Sequence, residues 1–188
     1  MVPVAHSIAR RAMRHSVSMV ARRQLPRLLD TSTVAGAQLA AALERALDGS
    51  TSSDQQAWFD RIEAMRTRLE ADRSPIAITD YGAGSSGDHR TDEEMARGVD
   101  VIKTTEEVTR ASKPAFWARV LHEIVREFES RSLLEMGTCL GISAAYQAAA
   151  LEVNGAGRLT TLEGAPALAK ISCQNLSECG LDHRVNVV

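Results

Sequence analysis

The sequence has no long hydrophobic run, few aromatic residues and few cysteines. No segment approaches the ~18 to 20 uninterrupted apolar residues that cross a bilayer, and the first residues lack the compact apolar run of a secretory signal. Aromatic residues make up 4% of the chain, and its three cysteines have no metal-type spacing. These absences argue against a membrane protein, a disulfide framework and a zinc site. We therefore expect a soluble, cytoplasmic protein with reduced thiols and no metal centre.

The charge is unevenly distributed along the 188 residues, which fit one domain of ordinary size. The net charge is −2, but residues 1–29 contain six arginines and no acid, so the remainder carries −8. An acidic body argues against a nucleic-acid partner, because that affinity depends on clustered lysine and arginine. The basic head is typical both of an organelle-targeting segment and of an ordinary N-terminal helix, and the sequence leaves both open.

The patterning divides the chain into three regions. Residues 1–30 form the basic N-terminal segment, residues 31–111 a helical extension with a polar loop, and residues 112–188 a more regular region. Within the extension, a β-prone run at 76–79 leads into a turn-rich run at 80–88. We interpret the turn-rich run as a surface turn or as a lid over an active site, with Asp88 and His89 as a candidate acid–base pair.

A strongly amphipathic helix begins the third region. Ser112-Lys113-Pro114 is a typical helix start, and apolar residues including Phe116 and Trp117 follow at helical spacing. We expect this stripe, with its aromatic residues, to pack in the core. The intervening polar residues, among them His122, should then face water.

The rest of the third region alternates between strand and helix patterns. The expected elements are a strand at 132–136, a helix at 142–153, a strand at 158–163, a helix from Pro166 to Cys179 and a third strand from Val185. Each crossover is a helix of about a dozen residues, which is what parallel strands require. The sequence therefore predicts an α/β fold with a Rossmann-like partial parallel sheet, β-α-β-α-β, preceded by the helical extension.

A glycine-containing turn joins the first strand of that unit to its helix. Gly137 and Gly141 lie in this turn, and Glu163 ends the second strand 22 residues after Gly141. Glycines there let a ligand approach the backbone, and an acid at the neighbouring strand end can accept hydrogen bonds from ribose hydroxyls. Both features lie beyond the carboxyl ends of the strands, where open α/β sheets bind ligands. The pattern indicates a nucleoside ligand.

The spacing and the charge favour one class of nucleoside over another. A dinucleotide fingerprint needs two further glycines after Gly137, but Cys139 and Ile142 occupy those positions. Glu135 would also repel a pyrophosphate, whereas S-adenosylmethionine has no phosphate and offers an ammonium group that a carboxylate can help to hold. The sequence therefore disfavours NAD and favours the sulfonium cofactor.

The run Leu134-Glu-Met-Gly-Thr-Cys-Leu-Gly-Ile-Ser143, with Thr161-Leu-Glu-Gly164 downstream, resembles the cofactor motifs of class I S-adenosylmethionine-dependent methyltransferases. It is most similar to the O-methyltransferase-like branch. The resemblance implies S-adenosylmethionine as cofactor and methyl transfer to a small-molecule acceptor, with oxygen as the first expectation. By position it assigns the cofactor loop to Glu135, Gly137, Thr138 and Gly141, and the ribose contact to Glu163. Ser112 and Lys113 are weaker candidates, because the segment before the first-motif helix often borders the active site.

The sequence also departs from that family. A complete member has further strands that carry the adenine-side contacts and the acceptor pocket, and this chain ends at the expected third strand. No catalytic base can be assigned and no cluster has metal-ligand spacing. An alternative is therefore a non-catalytic or incomplete module that binds a nucleoside or a partner subunit. In either case a completing segment or a second copy of the chain could cover the exposed edge of the sheet.

Overall fold

A computed structural model describes residues 24–25, 29–81 and 90–188. The basic segment predicted at 1–30 lies almost entirely outside these residues. The same is true of Asp88, His89 and most of the turn-rich run before them. In the part of the chain that is described, no helix is long and apolar enough to cross a membrane.

Two helices begin the described fold. Helix α1 (Val34–Asp48) starts at Thr33, whose side chain accepts a hydrogen bond from the Gly36 amide at 3.0 Å. Helix α2 (Ser53–Ala71) starts with a capping box formed by Ser52 and Gln55. A stripe along α2 at helical spacing is buried, and its apolar members are Phe59, Ile62, Met65 and Leu69. This stripe attaches the extension to the rest of the protein.

A two-stranded antiparallel sheet follows α2. Strand β1 (Pro75–Asp80) was expected from its β-prone sequence, and it pairs with β2 (Val99–Thr104), which the sequence analysis missed. The short helices α3 (Asp92–Arg97) and α4 (Thr105–Thr109) flank β2. Strand β2 was missed because it is short and its apolar–polar alternation stops at Ile102, an apolar residue that is 77% exposed.

Helix α5 (Ala115–Glu127) begins where the sequence predicted, directly after Pro114, but the expected burial is wrong for several of its residues. His122 and Glu123 are buried, whereas Phe116 and Trp117 are 42% and 55% exposed. The reason is that α5 packs against α1 as well as against the later helix Ile142–Val153, so more than one stripe of α5 is covered. Gln55 of α2 completes this environment by donating to Glu123 at 3.0 Å.

The C-terminal region is the predicted β-α-β-α-β unit. It comprises β3 (Ser132–Met136), α6 (Ile142–Val153), β4 (Arg158–Leu162), α7 (Pro166–Glu178), a 3₁₀ turn (Asp182–Arg184) and β5 (Val185–Val187). The strands are parallel in the order β3-β4-β5, the arrangement of one half of a Rossmann-like sheet. The predicted α/β fold class is therefore confirmed.

The two faces of this half-sheet differ. On one face Leu159 and Thr161 are fully buried, and α6 is buried from Ile142 to Leu151 apart from the half-buried Ser143. One hydrophobic core joins this face to the apolar stripe of α2. The opposite face carries exposed apolar residues: Leu134 (68%), Met136 (83%), Leu162 (38%) and, just beyond β5, Val188 (63%). We call this second face the apolar sheet face.

Candidate functional site

The turn between β3 and α6, residues 137–141, has an unusual backbone. Gly137 and Gly141 have φ values of 90° and 83°, which favour glycine, and Cys139 adopts φ 53° between them. The amides of Gly137 and Thr138 both donate to the Leu162 carbonyl, at 2.9 and 3.1 Å. The turn is thereby fixed to the end of β4. We call residues 137–141 the glycine loop.

The glycine loop is also packed against α7. A side chain at Gly141 would have its Cβ 3.3 Å from the Ser172 Cβ, so this glycine permits close approach of the loop to the helix. From the same helix, the Asn175 side chain donates to the Leu140 carbonyl at 2.9 Å. The other glycine differs, because a Cβ built on Gly137 meets no atom within 4 Å and Gly137 is exposed. The loop therefore has a packed inner side and an accessible outer side.

Glu163 lies directly against this loop. It follows β4, and its carboxylate accepts hydrogen bonds from the Cys139 amide at 2.7 Å and from the Ala165 amide at 3.0 Å. The side chain is half-buried, so its remaining lone pairs can still face a ligand. The acid and the glycine loop thus meet at the carboxyl edge of the parallel sheet, as the sequence predicted.

The residues from 132 onward form one half of a Rossmann-like sheet, with the arrangement that the sequence motif implies. The features that define it are three parallel strands in the order β3-β4-β5, a glycine loop after the first strand and an acid after the second. It is a partial version of such a sheet, because the described part contains three strands.

Glu135 occupies a different position from Glu163. Its carboxylate accepts hydrogen bonds from Ser143 and Gln147 of α6 on one oxygen, at 2.7 and 2.9 Å. The other oxygen accepts a hydrogen bond from the Thr161 hydroxyl at 2.7 Å. The sequence analysis gave none of these three partners a role, although Ser143 and Thr161 lie within the two motif runs. Glu135 therefore lies on the inner side of the loop, with three protein donors around it.

Cys139 lies in the glycine loop, but its thiol is in an environment that disfavours reaction. Burial raises the pKa of its thiol, and the nearby carboxylates of Glu163 and Glu135 raise it further. Nucleophilic chemistry needs the thiolate, which this environment disfavours. The contribution of Cys139 to the site is its backbone amide.

The two-stranded antiparallel sheet brings one aromatic side chain to the carboxyl edge of the parallel sheet. Tyr81, which follows β1, is 51% exposed, and its Cε2 lies 3.9 Å from the position of a Cβ on Gly164. Sequence reasoning did not identify this residue, because the packing of β1 on α7 cannot be read from either segment alone. Tyr81 is therefore an additional aromatic group close to Glu163.

In the described part of the chain, the weaker candidates before α5 form no hydrogen bond with the glycine loop. Ser112 is half-buried and Lys113 exposed, while the contact from this side comes from Val108, whose carbonyl lies 3.9 Å from the Cys139 thiol. Among the described residues, no group of three or more histidine, cysteine or acidic side chains has the geometry of a metal site.

Comparison with known proteins gives partial matches. No protein-family model matches the sequence, and no curated protein matches it. Among solved structures, the cofactor-bound protein Rv0187 from MTB is 32% identical over 42% of this chain and 35% of its own, with a TM-score of 0.40. The O-methyltransferase TomG from Streptomyces achromogenes, involved in tomaymycin synthesis and solved with SAM, is 33% identical over 40% of this chain and 33% of its own, with a TM-score of 0.38.

A third solved structure extends over more of the chain. A proposed O-methyltransferase from Klebsiella pneumoniae is 19% identical over 74% of this chain and 44% of its own, with a TM-score of 0.39. The chain thus spans less than half the length of each of these three structures.

Proposed function

We propose that this protein is a methyltransferase that uses S-adenosylmethionine and transfers a methyl group to a small-molecule acceptor, with oxygen as the acceptor atom. The observation that carries the proposal is the 2.7 Å hydrogen bond between the Glu163 carboxylate and the Cys139 amide. This hydrogen bond places Glu163, an acid that can bind the two ribose hydroxyls, beside a loop whose backbone the cofactor can approach closely. The sequence motif implies the same arrangement.

The residues at this site fit the proposed cofactor. The half-buried carboxylate of Glu163 is suited to the two ribose hydroxyls, because it keeps acceptor capacity after accepting the two backbone amides. The exposed outer side of Gly137 leaves room for the amino-acid portion beside the loop. Glu135 and Glu163 together give the site a negative charge, which suits a phosphate-free sulfonium compound better than a pyrophosphate.

The chemistry needs little from the protein besides position. S-adenosylmethionine supplies an electrophilic methyl group on a sulfonium sulfur, which a nucleophilic acceptor attacks in line. Glu163 would hold the ribose and the glycine loop would hold the amino-acid portion, and this ordering removes the entropy cost of bringing two reactants together. Thr138 and Gly141 support the loop from its buried side.

A second candidate function is an incomplete methyltransferase-like module that binds the nucleoside but requires a partner. The observation that favours it is the apolar sheet face, where Leu134 and Met136 are 68% and 83% exposed at an unpaired strand edge of the described sheet. We propose that a completing segment or a second copy of the chain covers this edge. Saturable cofactor binding without methyl transfer to hydroxyl-bearing acceptors would favour this candidate.

Calorimetric titration of the purified protein tests the proposal. We expect saturable binding of S-adenosylmethionine and S-adenosylhomocysteine and no binding of NAD. Glu163→Ala should weaken both affinities by roughly tenfold or more, because it removes an ionised acceptor from a half-buried site. Glu163→Gln, which keeps one carbonyl acceptor, should weaken them less.

Glu70→Gln provides the matched control, since Glu70 is an exposed acid on α2. It should leave both affinities unchanged. Binding of NAD alone, or equal affinities in the wild type and in Glu163→Ala, would contradict the proposal.

A further inference from the structure

A chain of side-chain hydrogen bonds runs beneath the glycine loop. The Thr138 and Thr161 hydroxyl oxygens are 2.7 Å apart, and Thr161 in turn contacts Glu135 at 2.7 Å. Thr138 and Thr161 are 1% and 0% exposed, so water cannot replace either contact. We call the set formed by Glu135, Thr138, Ser143, Gln147 and Thr161 the Glu135 network.

The direction of these hydrogen bonds follows from proton counting. An ionised carboxylate accepts hydrogen bonds but donates none, and each threonine hydroxyl has one proton to give. Thr161 must therefore donate its proton to Glu135, and it accepts the proton of Thr138 on its own oxygen. The charge on Glu135 thus orients the Thr138 hydroxyl, although these two side chains share no direct hydrogen bond. Chains of this kind strengthen each member by polarising the next.

The Glu135 network fixes both ends of the glycine loop to one carboxylate. Thr138 lies at the start of the loop, while Ser143 and Gln147 lie in the first turns of the helix that follows it. Thr161 lies on the central strand β4, in register with Glu135 on β3 and Val187 on β5. The hydrogen bonds of Thr161 therefore connect the glycine loop to the central strand of the sheet.

We infer that Thr161 is a positioning residue for the proposed cofactor site. It acts through Thr138 and Glu135 and holds the glycine loop so that the Cys139 amide meets Glu163. This inference rests on the proposed function for its ligand, but the ordering of the loop can be measured without any ligand. Glu135 accordingly serves as the charged anchor of the loop, with three donors already on its two oxygens.

Thr161→Val is the decisive variant, because it keeps the shape of the side chain and removes the hydroxyl. It leaves the buried Thr138 hydroxyl without its acceptor and removes one donor from Glu135. We expect the affinity for S-adenosylhomocysteine to fall roughly tenfold. In the free protein, the amides of Cys139 and Gly141 should exchange with solvent roughly tenfold faster, because they report the order of the loop.

Two further variants separate positioning from general destabilisation. Thr161→Ser restores the hydroxyl and should return both readouts to near the wild-type values. Thr160→Val alters the adjacent residue on the opposite face, where the threonine is half-buried, and should change neither readout. Should Thr161→Val fail to fold, Gln147→Met removes a different donor from Glu135 and should move both readouts in the same direction.

The outcomes distinguish this inference from the proposed function. A wild-type protein that binds no S-adenosylhomocysteine would refute the proposed function, and the exchange measurement would then decide the role of Thr161 by itself. A wild-type protein that binds, together with a Thr161→Val variant of equal affinity and equal loop exchange, would overturn the inference and leave the proposed function intact.

Discussion

His122 is a buried base in a polar setting between helices. Its side chain is 0% exposed, its ring packs edge-on against Phe59 with centroids 4.8 Å apart, and its Nε2 lies 3.4 Å from the Gln55 amide. Burial lowers the pKa of His122 to about 3, and the positive charges of Arg126 and Arg119 add to this effect. The imidazole is therefore neutral at physiological pH, and protonating it would place an uncompensated charge in the core.

This burial predicts a specific loss of stability in acid. Between the ordinary histidine pKa of 6.5 and the folded value of about 3, the unfolded chain binds a proton that the folded protein does not. The free energy of unfolding should therefore decrease as the pH falls through this window, by up to about 1.4 kcal/mol per pH unit. Denaturant titrations from pH 7 to pH 4 measure this slope.

His122→Leu removes the titrating group and is the reference for that measurement. The neighbouring Glu123 acts in the opposite sense, because burial raises its pKa and its proton uptake stabilises the folded state at low pH. Since Glu123 is present in both proteins, the difference between their slopes isolates His122. Equal slopes would mean that His122 does not stay neutral in the folded state.

At the scale of elements, the regular units were the most predictable. β3 and α6 begin and end where the sequence predicted, and β4 and α7 each end one residue early, because strand, glycine turn and helix follow one another with clear signals. The position of helix α5 was predicted correctly, but the burial of several of its side chains was not. Amphipathic periodicity assumes that one side of a helix is covered, whereas α5 packs against more than one neighbouring helix. Glu163 and the loop could be predicted from their motif. Thr161 and Tyr81 could not, because their contacts depend on tertiary packing.

The apolar sheet face predicts self-association. Leu134 and Met136 point away from the core beside an unpaired strand edge of the described sheet, which is a surface that proteins normally cover. We expect the purified chain to form concentration-dependent oligomers in sedimentation velocity. The double variant Leu134→Ser with Met136→Ser should shift it towards monomer and change the free energy of unfolding by less than about 0.5 kcal/mol.

A matched change on the packed face tests that interpretation. Leu133→Ser alters the intervening residue of β3, which packs against the core, and should lower stability without removing self-association. A wild-type chain that stays monomeric at all concentrations would contradict the prediction, as would oligomers that the double variant leaves unchanged.

At the scale of the whole molecule, one core unites the extension with the half-sheet. Phe59 of α2 packs against Tyr146 of α6, with ring centroids 5.2 Å apart, and the Tyr146 hydroxyl donates to Glu63 at 2.7 Å. On the other side, Gln38 of α1 donates to the Glu127 carbonyl of α5 at 2.9 Å. The division of the chain at residues 111 and 112 remains a prediction, and these contacts argue that the two parts are stable only together.

Cooperative unfolding follows from this shared core. Trp117→Phe leaves Trp58 as the single tryptophan, so that its fluorescence reports α2, whereas far-ultraviolet circular dichroism reports all helices. The two signals should give the same denaturant midpoint, because α2 loses its packing when the half-sheet unfolds. The reciprocal variant Trp58→Phe reports α5 and should agree with both. An earlier transition at Trp58 would show that the extension unfolds by itself.

The simple strand order of the half-sheet bears on how the protein is made. Strand β3 pairs with β4, and β4 pairs with β5, each across a single helical crossover. Lengthening a connection adds only slowly to its closure entropy, and neither of these two pairings involves a segment beyond the next helix. As the polypeptide leaves the ribosome, β3 can receive β4 and then β5 in the order of their synthesis.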